Sequence, residues 1–176
     1  MILTKTDWSF LAPLALREAQ RILSDHGTNK GQISLTHKPG ASTSHERLFG
    51  ATGSLFAYDT GNFIADESEF TEFNELFHGT YLHDIYKEIG CIGRMRIMVM
   101  TGPVVYTIHR DVTTRYHLAL QTNEHCLFVF PTQNELVHIP ADGNVYEVDT
   151  KEYHTFLNGS RETRIHLVMD NLDSYE

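Results

Sequence analysis

The chain has 176 residues, of which 41% are hydrophobic, 11% aromatic and 21% charged, a composition that suits one folded domain with a sizeable core and excludes disorder. With 23 acidic and 14 basic residues, the formal net charge is −9, so nucleic acid and anionic membranes are not the expected partners, since both need clustered Lys and Arg. Cys91 and Cys126 have neither zinc-finger spacing nor disulfide-framework density, no apolar run reaches transmembrane length, and the opening Met1–Lys5 carries no signal-peptide pattern, which together predict a cytoplasmic protein with reduced thiols.

In chain order, residues 7–24 carry Trp8, Leu11, Leu14, Ala15, Ile22 and Leu23 at mostly helical intervals. They predict an amphipathic helix with Asp7 as N-cap and Gly27 near its exit. Residues 31–64 are rich in Gly, Ser and Thr and predict short strands and loops, with a turn at Lys38-Pro39-Gly40. Residues 66–89 read as a second helical region, with Phe70, Phe73, Leu76 and Phe77 on one face, a break at Gly79 and a stop at Gly90. From Arg94 onward the period changes to two. Strands are predicted over 94–100, 104–108, 115–122, 126–130, 135–139, 145–149, 153–157 and 163–169, several of them separated by turn chemistry such as Asp142-Gly143-Asn144 and Asn158-Gly159-Ser160. About eight short strands in ~75 residues is the pattern of a β-sandwich or jelly roll. No repeat or linker divides the chain, so residues 1–176 are read as one domain: a helical and loop region over 1–90, and a β core over 91–170.

Eleven histidines set a demanding background for any metal assignment. His109 and Asp111 stand out because residues two apart in extended chain point the same way, so an imidazole nitrogen and a carboxylate oxygen can converge. With His154 they make the two-histidine, one-carboxylate set that binds one face of non-haem Fe(II) and leaves the other positions open. Strand phase adds Arg115 and His117, opposite Tyr116, Leu118 and Leu120, and Arg164 and His166, opposite Ile165, Leu167 and Met169. Buried arginines demand an anion. Glu162 and Asp170, the acids nearest in sequence, fall at strand ends, so a bound carboxylate is the expected partner, with Arg164 offering a planar fork suited to a dicarboxylate.

The stretch 94–170 resembles the aspartyl/asparaginyl β-hydroxylase-type branch of the Fe(II)- and 2-oxoglutarate-dependent oxygenases, which includes hydroxylases of free proline. The residues that carry this resemblance are Arg94-Met95-Arg96, Gly102-Pro103 before His109-Arg110-Asp111, Arg115-Tyr116-His117-Leu118, Val137-His138-Ile139-Pro140, Gly143 before Tyr146, His154-Thr155-Phe156-Leu157-Asn158 and Thr163-Arg164-Ile165-His166-Leu167. It implies a mainly β fold, a double-stranded β-helix (jelly roll, cupin-like) with N-terminal helices packed on one face and a region over 1–90 that shapes the substrate pocket. It further implies iron held by the catalytic set His109, Asp111 and His154, and 2-oxoglutarate bound by Arg164 with Arg115 and His117 as further co-substrate contacts. The implied reaction uses O₂ to hydroxylate an amino acid, or an amino-acid residue in a protein, while 2-oxoglutarate is converted to succinate and CO₂. Asp111 sets the chain apart from the mammalian-type members, which lack the carboxylate ligand, and Met98 stands where some members carry a polar residue.

Arg96, Tyr106, His138, Asn158 and the 37–58 region are further candidates for substrate contact. Two other classes stay open at this point: a non-catalytic cupin-like module that senses a metal or ligand, and a cupin-type enzyme that does not use 2-oxoglutarate. Arg164 weighs against both, because neither needs a dicarboxylate clamp. The substrate is read equally as a free amino acid or small acid, or as a residue of a protein or peptide, and the oligomeric state is open, a homodimer included.

Overall fold

The computed structural model describes residues 1–175. The chain opens with strand β1 (Leu3–Ser9) and helix α1 (Ala12–His26), followed by β2 (Gln32–Ser34), β3 (Thr36–His37) and the short helix α2 (Ser44–Phe49). A small hairpin of β4 (Phe56–Ala57) and β5 (Asn62–Phe63) comes next, then β6 (Glu72–Phe73) and α3 (Tyr81–Ile89). The remainder is almost entirely strand: β7 (Ile92–Thr101), β8 (Val104–Val105), β9 (Arg115–Gln121), β10 (Cys126–Phe130), β11 (Glu135–Val137), β12 (Asn144–Val148), β13 (Thr155–Asn158) and β14 (Thr163–Asn171).

These strands form a six-stranded sheet in the order β1-β12-β9-β14-β7-β2 and a four-stranded sheet in the order β11-β10-β13-β8. All of their pairings are antiparallel. The fold is therefore mainly β. Met100 and Ala119 of the large sheet share one apolar cluster with Phe128, Phe130 and Phe156 of the small sheet, which makes the two sheets the layers of a sandwich. The opposite face of the large sheet buries Tyr116, Leu118, Leu120, Ile165, Leu167 and Met169 in a second cluster, together with Ala15, Ala19 and Ile22 of α1 and Leu82, Ile85 and Ile89 of α3. The helical residues recur at three- and four-residue spacings, the interval that lines one face of a helix. Each large apolar side chain buried there stabilises the fold by about 1.5–3 kcal/mol.

The strand phases predicted for residues 115–120 and 164–169 are those observed. The helical readings need correction. Residues 3–9 form β1, paired antiparallel with β12, so Asp7 lies on a strand and caps nothing. Trp8 packs edge-on against Tyr116, with ring centroids 5.3 Å apart. Helix α1 begins instead at Ala12, with proline in its first turn, where a missing N–H costs nothing; the Leu11 N–H is taken by the Tyr81 hydroxyl at 2.9 Å. The region 66–89 is helical only over Tyr81–Ile89. Asp66 and Asn74 cap short 3₁₀ turns, and Phe70, Phe73 and Phe77 are buried from turns and a two-residue strand. Helix α2 lies in a stretch expected to be loop, and its signature is the reciprocal capping box of Thr43 and Glu46. The large sheet also recruits β1 and β2, so the β core draws on residues before 91.

Candidate metal centre

Strand β8 ends after Val105, short of the predicted 104–108, and the chain then runs as irregular backbone alongside the start of β13. Tyr106 N–H still bonds Phe156 O at 3.0 Å. Further on, His109 and His154 form an isolated antiparallel bridge, exchanging N–H···O bonds of 2.9 and 2.8 Å. Asp111 N–H is held by Thr150 O at 2.8 Å. Backbone pairing thus brings together residues 45 positions apart.

Both imidazoles are oriented from behind. His109 Nδ1 lies 2.8 Å from Thr107 O and His154 Nδ1 lies 2.9 Å from Glu152 O. A carbonyl only accepts, so Nδ1 carries the proton and the Nε2 lone pair is free to bind a cation. His109 Nε2 is 3.8 Å from Asp111 Oδ1 and His154 Nε2 is 3.9 Å from Asp111 Oδ2. One ligand atom from each of the three residues lies within 4.8 Å of the others, and they form the one group of this kind among the described residues. The donor set of two neutral nitrogens and one carboxylate oxygen fits a divalent first-row cation. Burial pushes the Asp111 carboxyl up, but Arg115 more than reverses this and holds it well below the usual carboxylate range. Burial lowers His154, with Asp111 opposing it.

Arg115 is also where one expectation fails. Its guanidinium is answered by protein rather than by a bound carboxylate: Nε donates to Asp111 Oδ2 at 3.1 Å, Nη2 to Glu67 Oε1, and Nη1 pairs with Asp170. Asp170 is fully buried and also accepts from Arg94 Nε at 2.7 Å and Arg96 Nη2 at 3.2 Å. Glu67 accepts from Thr113 Oγ1 at 2.6 Å. The strand-end position of Asp170 does not bring it to water, because β14 runs on to Asn171 and pairs Asp170 with Arg115 across the sheet.

Arg164 is different. It is 2% exposed, its Nε has no partner, and its nearest notable contact is the ring of Phe156, 4.2 Å from the guanidinium carbon. No carboxylate among the described residues pairs with it, and burial pulls it down to about 10. Beside it His117 and His166 face each other with 3.4 Å between their Nδ1 atoms. Burial and then Arg164 drive both far below the ordinary histidine range, so both are neutral.

His109, Asp111, His154, Arg115, His117 and Arg164 all line one cavity of about 1300 Å³. Residues 55–173, two thirds of the chain, match the family described as aspartyl/asparaginyl beta-hydroxylase. The chain belongs to the aspartyl/asparaginyl β-hydroxylase family. Among solved structures, it is similar to AviO1 from Streptomyces viridochromogenes Tue57, with 13% identity over 95% of this chain and 87% of that one and a TM-score of 0.49. It is also similar to an oxidoreductase of the 2OG-Fe(II) oxygenase family from Burkholderia pseudomallei, with 17% identity over 88% of this chain and 89% of that one and a TM-score of 0.41. No curated protein matches the sequence.

Of the further candidates in this β-hydroxylase-family chain, Arg96 and Tyr106 line the cavity, and Met98 does so as an apolar wall. His138 and Asn158 do not. His138 Nδ1 bonds Cys126 O at 3.0 Å. Asn158 is wholly buried and ties together Met100 O and Glu162 O at 2.9 and 2.8 Å, which is a structural role. From the 37–58 region only the end contributes, and the wall continues into the β4–β5 hairpin through Leu55, Phe56, Tyr58 and Phe63. The sequence reading missed Lys30, Gln32 and Glu67 as cavity residues and Asp170 as the hub of the arginines. Asp170 was detectable, since it shares the phase of Arg164 and His166. Glu67 sits in a 3₁₀ turn, where no strand or helix period could point to it.

Proposed function

We propose that the protein is an Fe(II)- and 2-oxoglutarate-dependent dioxygenase that hydroxylates an amino acid or an amino-acid residue, built on a double-stranded β-helix with α1 and α3 covering one outer face. The single observation that carries this reading is the placement of His109, Asp111 and His154 on the wall of a cavity that also holds Arg164, a buried cation with no carboxylate partner among the described residues. Family membership supports an oxygenase of the hydroxylase kind.

In this reading His109 and His154 bind iron through Nε2, their rings fixed by the Thr107 and Glu152 carbonyls, and Asp111 supplies the anionic ligand. When bound, iron and 2-oxoglutarate together supply, with O₂, the oxidising power that puts a hydroxyl on a C–H bond while 2-oxoglutarate leaves as succinate and CO₂. Arg164 pairs with the distal carboxylate of the co-substrate through its guanidinium fork. Arg115 is a positioning residue: it holds the Asp111 carboxylate ionised and aimed at the site. His117, neutral at pH 7, offers a hydrogen bond beside Arg164 without adding charge. Met98, Phe128 and Phe156 exclude water around this end of the cavity, which strengthens the ion pair Arg164 makes.

Anaerobic titration with Fe(II) and 2-oxoglutarate tests the proposal. A visible metal-to-ligand charge-transfer band is expected, followed on admitting O₂ by succinate formation. The absence of the band, or unchanged 2-oxoglutarate affinity in Arg164→Gln, sinks it.

A further inference from the structure

The cavity's charge runs against that of the whole chain. The protein carries a net charge of −9, yet the ionisable groups lining the cavity are mostly cationic, with Glu67 and Asp111 as the only acids among the described lining residues. Part of this excess is neutralised internally. Arg94, Arg96 and Arg115 share the buried carboxylates of Glu67 and Asp170, and Arg115 also meets Asp111. Three guanidiniums meet three carboxylates, but Arg115 contacts all three, and Arg96 is left with a single oxygen of Asp170. A buried guanidinium short of carboxylate oxygens is costly, so one further anion would be favourable here.

Geometry identifies where the deficit falls. Arg96 is 5% exposed, pairs with Asp170 only through Nη2 and with the neutral Gln32 Oε1 through Nη1 at 3.1 Å. Its Nε has no partner among the described residues. Gln32 Oε1 also accepts from Gly53 N–H at 3.1 Å, which leaves the Gln32 amide NH₂ without a protein partner among the described residues. Lys30 stands beside them: its Nζ lies 3.6 Å from the position a Cβ on Gly53 would take. It sits on a two-residue turn closed by the reciprocal Asn29–Gln32 backbone bonds, with φ of +53° at Lys30 and +72° at Gly31. That is the backbone pattern of a tight hairpin turn, and it fixes the Lys30 backbone beside the cavity that its side chain lines. Lys30 makes no ion pair with any described residue.

The wall next to this cluster is apolar. Phe56 meets Phe63 with centroids 5.3 Å apart and Tyr58 at 5.1 Å, yet Phe63 remains 63% and Tyr58 73% exposed. Aromatic surface left uncovered on a cavity wall is surface a ligand can cover. The volume of about 1300 Å³ also exceeds the roughly 300–1000 Å³ usual for one small-molecule pocket, leaving room for a second ligand beside a dicarboxylate at Arg164.

We propose that Arg96, Gln32 and Lys30 form a second anion subsite, separate from Arg164, which takes the carboxylate of a small organic acid whose apolar body lies against the Phe56–Phe63 hairpin. This assigns the substrate class of the site and so rests on the reading given under Proposed function. A free acid presents the carboxylate these donors lack, whereas the backbone of an internal peptide residue presents only neutral amides.

The test is calorimetry on anaerobic protein saturated with Fe(II) and 2-oxoglutarate, so that Arg164 is occupied and no turnover occurs. Phenylacetate, phenylacetamide, phenyl phosphate and N-acetyl-phenylalaninamide are the probes. Phenylacetate is expected to bind at least tenfold more tightly than each of the other three. Lys30→Gln and Arg96→Gln are expected to weaken it about tenfold while leaving 2-oxoglutarate affinity within twofold of the parent. Should Arg96→Gln fail to fold with Asp170 less well compensated, the exposed Lys30→Gln carries the test alone. Equal binding of phenylacetate and its amide, tighter binding of the phosphate or the capped amino acid, or unchanged phenylacetate affinity in Lys30→Gln overturns the subsite. So does loss of 2-oxoglutarate affinity in Arg96→Gln, which would make Arg96 the co-substrate anchor. Failure of the wider reading is seen separately, as no charge-transfer band before any probe is added. Phenylacetate binding that is sensitive to Lys30→Gln would then still support the subsite.

Discussion

Arg115 Nε donates to Asp111 Oδ2 at 3.1 Å, so the carboxylate at the candidate metal centre is held by an arginine whose other nitrogens are anchored to Glu67 and Asp170. The aim of Asp111 is thereby tied to the interior of the sandwich rather than to the short irregular segment that carries it. Arg115→Gln removes the one cation that all three carboxylates share. Breaking a buried pair in this way costs about 3–5 kcal/mol, to be read from urea denaturation. Arg115→Lys keeps the charge but loses the fork, and metal affinity is expected to fall about 10–100-fold. Unchanged metal affinity in the lysine variant would show that Asp111 needs no such support.

Metal binding should register as stability. A ligand that binds only the folded state at 100 times its Kd adds about 2.7 kcal/mol. Mn(II), which resists oxidation, is expected to raise the melting temperature of the parent protein, and a chelator to reverse the rise. Asp111→Ala should abolish this response while still folding, because its partner Arg115 retains Glu67 and Asp170. A full shift in that variant would move the site to the two histidines alone.

Acid should loosen the arginine cluster before it reaches the apolar core. Burial pushes Asp170 up, but Arg115, Arg94 and Arg96 outweigh it and leave the carboxyl below its usual value. A carboxylate depressed in the folded state contributes stability above its unfolded pKa of about 3.9, and that contribution is lost as pH falls through the lower folded value. Unfolding free energy is therefore expected to decline below about pH 4. The decline should be shallower in Asp170→Asn, which gives up the contribution at every pH. Parallel pH profiles for the two proteins would remove Asp170 from the account.

Gly31 is required where it stands. It has φ of +72°, and a Cβ there would lie 2.6 Å from Val99 O, while its own carbonyl accepts from Val99 N–H at 2.7 Å. Strain of this kind costs about 1–3 kcal/mol, so Gly31→Ala should lose at least that much in thermal or urea unfolding. The turn would shift away from β7 and carry Lys30 with it. An alanine variant as stable as the parent would mean that the turn adapts freely.

Local rules were enough for much of this molecule. The period-two pattern after Arg94 identified most strands of the two main sheets, because a strand with one face on an apolar cluster must alternate, and it assigned Arg115, His117, Arg164 and His166 to the face opposite Leu118 and Leu167. The spacing of His109 and Asp111, with His154 and Arg164 beyond, marked the residues that converge on one cavity. Helical periodicity misled at Trp8 and at Phe70–Phe77, where burial is supplied by a strand and by capped turns that share no single period.

What only tertiary structure decided is which charges answer one another. Arg115 and Arg164 look alike along the chain: each is an inward arginine on a central strand. Cross-strand register sets Asp170 against Arg115, and a 3₁₀ turn 48 residues upstream brings Glu67 to the same guanidinium. Among the described residues, no carboxylate reaches Arg164. Electrostatic pairing depends on distances of a few ångströms between residues remote in sequence, so the amino-acid order could name the arginines, but only the packed sheets could separate the one that is already neutralised from the one with no carboxylate partner among the described residues.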